Sequence, residues 1–266
     1  MDPIQAIVLA LVQGLTEFLP VSSSGHLLLV PRFLGWPDQG LAFDVAVHMG
    51  TLLAVIVYFR RELAALIGPW LQSIAGRSAT DASRLAWSIV IAAVPVAVVG
   101  LLANDYIEAH LRDSPYAVAA ALAFFGLLLW LADRLGRQTM SESQVTWRRA
   151  LFIGLAQALS LFPGTSRSGI TMTAALALGF TRTAAARFSF LLAVPSIGMA
   201  GAYEGLQLAR SEHAIEWYAM ALGAAVAAVS GFLCIHYFLK LIPRIGMLPF
   251  ALYRWALAAL VIYALH

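Results

Sequence analysis

The chain has 266 residues; 61 % are hydrophobic, only 12 % are charged, and the formal net charge is +3. A soluble domain carries about twice that share of charge, and the mean hydropathy of +0.81 points the same way. The composition therefore excludes a soluble globular protein and indicates an all-α polytopic membrane protein. The single cysteine, Cys234, excludes an intrachain disulfide and reads as a small core residue in an apolar run.

The N-terminal "MDPIQ" begins with an acid rather than a basic n-region, so no cleavable signal peptide is expected. Residues 3–35 hold two short apolar runs, "PIQAIVLALV" and "LLLVPRFLG", separated by "QGLTEFLPVSSSGH". Each run is about half of the ~20 residues a spanning helix needs. That predicts a re-entrant hairpin, entering and leaving on one side, with its break surrounded by protein or water. Three full spans are expected next, at 43–60, 85–104 and 115–133. Residues 150–180 repeat the interrupted pattern, with "ALFIGLAQAL" and "ITMTAALALGF" split by "SLFPGTSRSG". Three more spans follow at 186–205, 217–239 and 248–265. Trp87, Trp130, Trp217 and Trp255 lie towards span ends, where interfacial aromatics are common. Pro95 and Pro195 fall inside spans, where a membrane helix tolerates them as kinks.

The two breaks are alike. Ser23 and Ser166 each stand three residues after a proline, Pro20 and Pro163, while Gln13 and Gln157 stand seven and six residues before it. The chain reads as one integral membrane domain, 1–266, made of two repeats at about 1–135 and 148–266. Each repeat is one re-entrant helical hairpin plus three transmembrane helices. Three spans is an odd number, so the second repeat must be inverted relative to the first. Interrupted segments at corresponding positions of inverted repeats mark a midplane binding site.

Basic residues set the expected orientation. Arg60, Arg61, Arg77 and Arg84 share one connection, Arg134, Arg137, Arg148 and Arg149 another, and Lys240 and Arg244 a third. The opposite loops carry only Arg32, Arg112 and Arg210, and they hold Asp105, Glu108, Asp113, Glu204, Glu212 and Glu216. The positive-inside tendency makes the first three cytoplasmic. Both termini and the first hairpin then face the outer, periplasmic side, and the second hairpin enters from the cytoplasm so that the two tips can meet.

The breaks carry the chemistry. In "PGTSRSGIT", Gly164 and Gly169 flank Thr165, Ser166, Arg167 and Ser168 just before an apolar helix. Free backbone N–H groups at a helix N-terminus bind anions, glycines let backbone approach a ligand, and Ser166, Ser168 and Thr171 add hydroxyl donors. Arg167 offers a planar fork suited to phosphate oxygens. An arginine at membrane depth suggests function; the structural alternative is a pair with Glu17. The first break supplies Glu17, the hydroxyls of Ser22, Ser23 and Ser24, and His26, which exchanges a proton near neutral pH. Ser23 and His26 share a face of one helical turn, a spacing that would let the imidazole assist a serine nucleophile. The other polar residues read more plainly. His48 suits a helix contact as well as a pathway role, Arg187 and Arg254 read as snorkelling, and His236 as interfacial. His110, His213 and His266 read as solvated. The sequence has no zinc-spaced His/Cys cluster, P-loop or dinucleotide fingerprint, and no nucleic-acid partner is expected.

With "EFLPVSSSGH", "PGTSRSGIT" and "RFSFLLAVPS", the sequence resembles the bacterial undecaprenyl-diphosphate phosphatases, the bacitracin-resistance family, over its whole length. That family's first motif is Glu or Gln, three residues, then Glu; here it reads Gln13 to Glu17, with one carboxylate fewer than the two-acid form. The resemblance implies removal of the terminal phosphate of undecaprenyl diphosphate, which recycles the lipid carrier of peptidoglycan synthesis in the inner membrane. It also implies a divalent cation, Mg²⁺ or Ca²⁺, with Glu17 as a ligand. The family's essential acid, serine, histidine and arginine fall on Glu17, Ser23, His26 and Arg167, with Gln13, Ser22, Ser24, Gly164, Thr165, Ser166, Ser168 and Thr171 expected around the substrate.

The expected partners are a polyprenyl diphosphate lipid and the bilayer, and a homodimer is compatible with the sequence. Three routes stay open: attack by Ser23 with His26 assisting, direct attack by His26, and a metal-activated water with Glu17 as base. The rival reading is a polyprenyl-phosphate transporter or flippase, since inverted repeats with broken helices are common in secondary transporters.

Overall fold

The computed structural model describes the backbone of residues 1–111, 114–210 and 216–264, and their side chains outside 104–111. Asp105, Glu108, Arg112, Asp113 and Glu212, which set the expected orientation, and His110, His213 and His266, expected to be solvated, lie outside the described side chains. Among the described residues the chain forms eleven α-helices and no β-strand. They are α1 (Pro3–Thr16), α2 (Ser23–Leu34), α3 (Gly40–Tyr58), α4 (Arg60–Ile74), α5 (Asp81–Leu111), α6 (Pro115–Leu135), α7 (Trp147–Ala158), α8 (Arg167–Ala177), α9 (Arg182–Arg210), α10 (Trp217–Ile245) and α11 (Leu248–Tyr263). Five of them, α3, α5, α6, α9 and α10, are long and apolar enough to cross a membrane. The sixth expected span, α11, is a helix of 16 residues, short of the ~20 that a perpendicular crossing needs. The chain is thus a multi-pass, all-helical membrane protein.

Both interrupted regions fold as two short helices joined by a break. α1 has 14 residues and α2 12; α7 has 12 and α8 11. One element was not expected. The connection beginning at Arg60 contains α4, an amphipathic helix of which only Leu66 is fully buried. Ile67, Leu71 and Ile74 stay exposed along it. Its low apolar content hides it from a search for spans, although alanine, leucine and glutamine favour helix.

Small residues let the helices close on one another, as expected where lipid offers no hydrophobic drive. α1 lies on α10 at Gly14, where a Cβ would meet Ser230 Oγ at 2.0 Å and the Ala227 carbonyl at 2.9 Å. α3 meets α10 at Gly50, where a Cβ would sit 2.3 Å from the Ala224 oxygen. On the other side α7 lies on α5 at Gly154, 2.5 Å from the Ala92 oxygen by the same measure. Beneath the breaks, Phe18 packs edge-on against Phe190 at 5.4 Å, and Phe190 continues to Phe238 at 5.8 Å. Cys234 is buried as expected and donates its thiol to the Leu15 carbonyl at 3.2 Å.

Ion pairs close one end of the bundle. Asp133 accepts Arg182 Nε at 2.6 Å and the Met247 N–H at 3.0 Å. Arg187 was expected to snorkel. It is instead clamped between Glu142 at 2.6 Å and Glu62 at 2.7 Å, with its guanidinium over the Phe59 ring. Sequence distance concealed both partners. At the opposite end the N-terminal ammonium pairs with Glu216.

Candidate functional site at the meeting of two helix breaks

The two breaks have the same local design. Ser22 and Ser166 are the N-caps of α2 and α8, at φ 75° and 72°. Each hydroxyl accepts a glycine N–H three residues on, Gly25 at 3.4 Å and Gly169 at 3.1 Å. A side-chain oxygen in that place satisfies one of the donors a helix start leaves over. The serines that correspond are therefore Ser22 and Ser166, not Ser23 and Ser166 as counting from the prolines suggested. Ser23 instead matches Arg167, and Gln13 and Gln157 both stand nine residues before their cap. The proline offset misled because the second break places its proline one residue farther from the cap.

The tips touch. Ser168 Oγ donates to the Leu19 carbonyl at 2.9 Å, and Arg167 Nη2 donates to Glu17 Oε1 at 2.8 Å. The Glu17–Arg167 pair weighed as a structural alternative is thus present. Arg167 also reaches the Ser189 carbonyl of α9 at 3.1 Å through Nη1. The other oxygen of Glu17 accepts the Ser23 hydroxyl at 2.6 Å and Gln13 Nε2 at 3.1 Å, and His48 Nε2 lies 3.9 Å away. Glu17 is buried while Ser23 and Arg167 are half-buried and Ser24 is exposed. The reacting candidates therefore line an accessible face over a buried carboxylate. His48, which the sequence left undecided, belongs to this cluster.

Ser23 and His26 do not pair in this structure, contrary to their spacing. A shared face brings side chains near but does not aim them, and both imidazole nitrogens are engaged elsewhere. Nδ1 lies 2.7 Å from the Ser22 carbonyl and Nε2 2.6 Å from the Tyr253 hydroxyl. A carbonyl only accepts, so Nδ1 carries the proton, and in the neutral ring Nε2 accepts from Tyr253. The two rings stack at 5.6 Å with planes 9° apart. Tyr253 was missed by sequence reading; an aromatic near the end of a span is too common to signal a site.

The remaining expected residues divide. Ser22 and Ser166 shape the caps. Gly164, at φ 88°, serves close packing rather than approach to a ligand, since a Cβ there would meet the Val118 carbonyl of α6 at 2.7 Å. Thr171 is turned onto α9, 2.7 Å from Ser189 Oγ, and supports α8 from behind. Thr165 is fully buried and its Oγ1 has no hydrogen-bond partner. Arg254 is the largest correction. It was expected to snorkel, but it is wholly buried against both breaks.

The oxygens around Glu17 bear on the implied cation. Among the described residues no three His, Cys, Asp or Glu side chains gather at one point. Gln13, however, is fully buried with Oε1 unpaired beside Glu17, one helical turn away. Its counterpart Gln157 has both ends satisfied, by the Ala92 carbonyl and the Ser196 hydroxyl. One carboxylate and one amide oxygen suit a Mg²⁺ ion that takes its other ligands from phosphates and water. They do not make a cage that would hold the ion alone.

The same chain pattern recurs in known proteins. The sequence is 54 % identical over 264 residues to an undecaprenyl-diphosphatase of Teredinibacter turnerae, covering 99 % of this chain and 100 % of the relative. It is 52 % identical over 254 residues to undecaprenyl-diphosphatase 1 of Pseudoalteromonas translucida, covering 96 % and 95 %. It is 54 % identical over 264 residues to an undecaprenyl-diphosphatase of Thioalkalivibrio sulfidiphilus, covering 99 % of each. Residues 6–260, which include both breaks, match the family described as bacitracin resistance protein BacA, and the chain belongs to that family.

Proposed function

We propose that this chain is an undecaprenyl-diphosphatase that releases the terminal phosphate of its lipid substrate and leaves undecaprenyl phosphate. The observation that carries this reading is a serine hydroxyl 2.6 Å from a buried carboxylate that is itself held by an arginine, where two helix N-termini meet. The first-turn N–H groups of Ser23, Ser24, Arg167 and Ser168 are the donors a helix cannot satisfy internally, and they suit the phosphate oxygens. Ser23 Oγ attacks the terminal phosphorus and passes its proton to Glu17. The anhydride P–O bond breaks and undecaprenyl phosphate departs. Water then cleaves the phosphoserine, releasing inorganic phosphate and restoring Ser23. With the imidazole protonated at Nε2, the Tyr253 hydroxyl is free to turn its own proton to the departing oxygen as a hydrogen bond. Glu17 and Gln13 would hold a divalent cation, which would offset charge on the diphosphate.

Inorganic phosphate released by detergent-solubilised protein from a short-chain polyprenyl diphosphate, with no sealed compartment, is the decisive measurement. Transport alone yields none, so a silent assay with well-folded protein would return the flippase reading. Tyr253→Phe should lower kcat about fivefold without changing the melting temperature, the effect of one lost neutral hydrogen bond. Unchanged turnover would detach Tyr253 from the chemistry.

The same reading takes the chain as two inverted repeats in the bacterial inner membrane. The matched caps support this, as does the crossing of each hairpin's first arm to the other half, α1 onto α10 and α7 onto α5. With the arginine-rich connections cytoplasmic, a single cysteine at Arg77 or Ser141 should react only with reagents that reach the cytoplasm. One at Asp38 should react from outside; all three positions are exposed. Equal labelling from both sides would refute the orientation.

A further inference from the structure

Arg254 is an arginine in the middle of a membrane protein that is 0 % exposed. Such a group usually has a carboxylate partner or snorkels to the surface. Among the described residues Arg254 makes no ion pair. Its guanidinium has five N–H donors, and the structure gives each of them a backbone carbonyl. Nε donates to Leu122 at 3.1 Å. Nη1 donates to Pro20 at 3.3 Å and Thr165 at 3.0 Å, and Nη2 to Ala121 at 3.4 Å and Gly164 at 2.9 Å. Three of these carbonyls belong to the two breaks, and the other two to α6.

Broken backbone at membrane depth leaves peptide groups without helical partners, and each must be satisfied from elsewhere. Arg254 does this for both breaks with one planar group. The carbonyl and N–H of a trans peptide point in opposite directions. Holding the Thr165 oxygen therefore turns the Ser166 N–H away from Arg254, at the start of α8. The charge is also left over, because the Glu17–Arg167 pair next to it is already neutral. Gly126 on α6 makes room for this stretch of α11, since a Cβ there would lie 3.2 Å from Trp255 Nε1, 3.3 Å from Arg254 Cβ and 3.5 Å from Arg254 Nε.

We infer that Arg254 is a positioning residue: it fastens the two hairpin breaks to each other and to α6, fixing Ser23 and Glu17 in register with Arg167, and adds an unneutralised positive charge to the seat of an anionic diphosphate. The catalytic consequence rests on the phosphatase reading; the fastening does not. Arg254→Lys tests both, since lysine keeps the charge but has three donors on a point charge and cannot span three segments.

Hydrogen–deuterium exchange on the purified protein should show 17–25 and 161–169 exchanging faster together in Arg254→Lys, with α3 and α10 unchanged. Unaltered exchange in both breaks would overturn the inference whether or not the protein is active. In the phosphate-release assay, kcat per folded molecule should fall about 100-fold, the cost of a misplacement near 1 Å, with KM within about threefold. In an Arg167→Lys background the same change should cost less than about fivefold, because residues acting as one unit are non-additive. Full multiplication of the two losses would overturn the positioning role, as would a folded Arg254→Lys with turnover within about threefold of wild type. Should Arg254→Lys fail to fold, Gly126→Ala presses on Arg254 Cβ and Trp255 Nε1, shifting the Arg254 side chain by a few tenths of an ångström while keeping its guanidinium. It is expected to lower kcat several-fold and loosen both breaks, and an unaffected Gly126→Ala counts against the inference. Wild-type protein that released no phosphate would defeat the phosphatase reading and leave the exchange result to decide the fastening.

Discussion

Ser23→Ala is expected to lower phosphate release by at least about 10⁴-fold, because on the proposed mechanism it removes the atom that forms the covalent bond and not one donor among several. The neighbouring serines provide the scale. Ser24 is exposed, and a lost neutral hydrogen bond there is worth about 1 kcal/mol, roughly a factor of five in rate. Ser22 is a cap, so Ser22→Ala should cost about 1 kcal/mol of stability and leave a measurable rate in the folded fraction. Adding Glu17→Gln to Ser23→Ala should do little further harm if the two act as one unit. Turnover of purified, folded variants decides the matter. Substantial residual activity in Ser23→Ala would remove the serine from the covalent step and leave His26 or an activated water as the attacking group.

Glu17→Gln should reduce kcat by about 10³-fold, within the range that a positioned general base contributes. The amide keeps the size and one acceptor oxygen but cannot take the Ser23 proton. It also leaves Arg167 without its counter-charge in a largely buried place, where breaking a pair costs about 3–5 kcal/mol, so the variant should melt at lower temperature. Glu17→Asp keeps the charge and shortens the reach, and should fall between it and wild type. Arg167→Lys separates charge from shape. The guanidinium spans Glu17 and the Ser189 carbonyl at once; an ammonium can hold one of them well. A loss of at least ~10-fold is expected, matching charge-assisted hydrogen bonds of about 1.5–3 kcal/mol. A rate for Glu17→Gln within tenfold of wild type would show that the Ser23 proton goes elsewhere.

The sequence was most informative where periodicity and interruption carry the message. Six apolar runs became α3, α5, α6, α9, α10 and α11, and the two half-length runs on each side of a polar break became α1–α2 and α7–α8. The break chemistry was legible because Glu17 and Arg167 are expensive in apolar surroundings and so stand out. Arg254 is as expensive, yet it lies close enough to a span end for snorkelling to explain it. Its five partners are backbone oxygens from distant segments, which no side-chain pattern encodes. Ser23 and His26 failed for a related reason, since spacing fixes a face while orientation depends on Tyr253, more than 200 residues away in the chain. The amphipathic α4 was lost because a search for spans passes over a helix whose apolar residues line only one face.

The shortness of the hairpin arms has a consequence for what can enter. At 1.5 Å per residue, the 14 residues of α1 rise about 21 Å, against a hydrocarbon core of about 30 Å. On the proposed topology, with α1 entering as a hairpin arm, Ser23 is sunk well below the headgroup layer. A diphosphate must descend to it, shedding water that the protein replaces with N–H donors and guanidinium charge. A lipid whose long tail already lies in the bilayer makes that descent by sliding along the helices, with its anchor never leaving oil. A free nucleotide or sugar phosphate has no such rail. Burial depth therefore sorts amphiphiles from water-soluble esters before any residue inspects the phosphate.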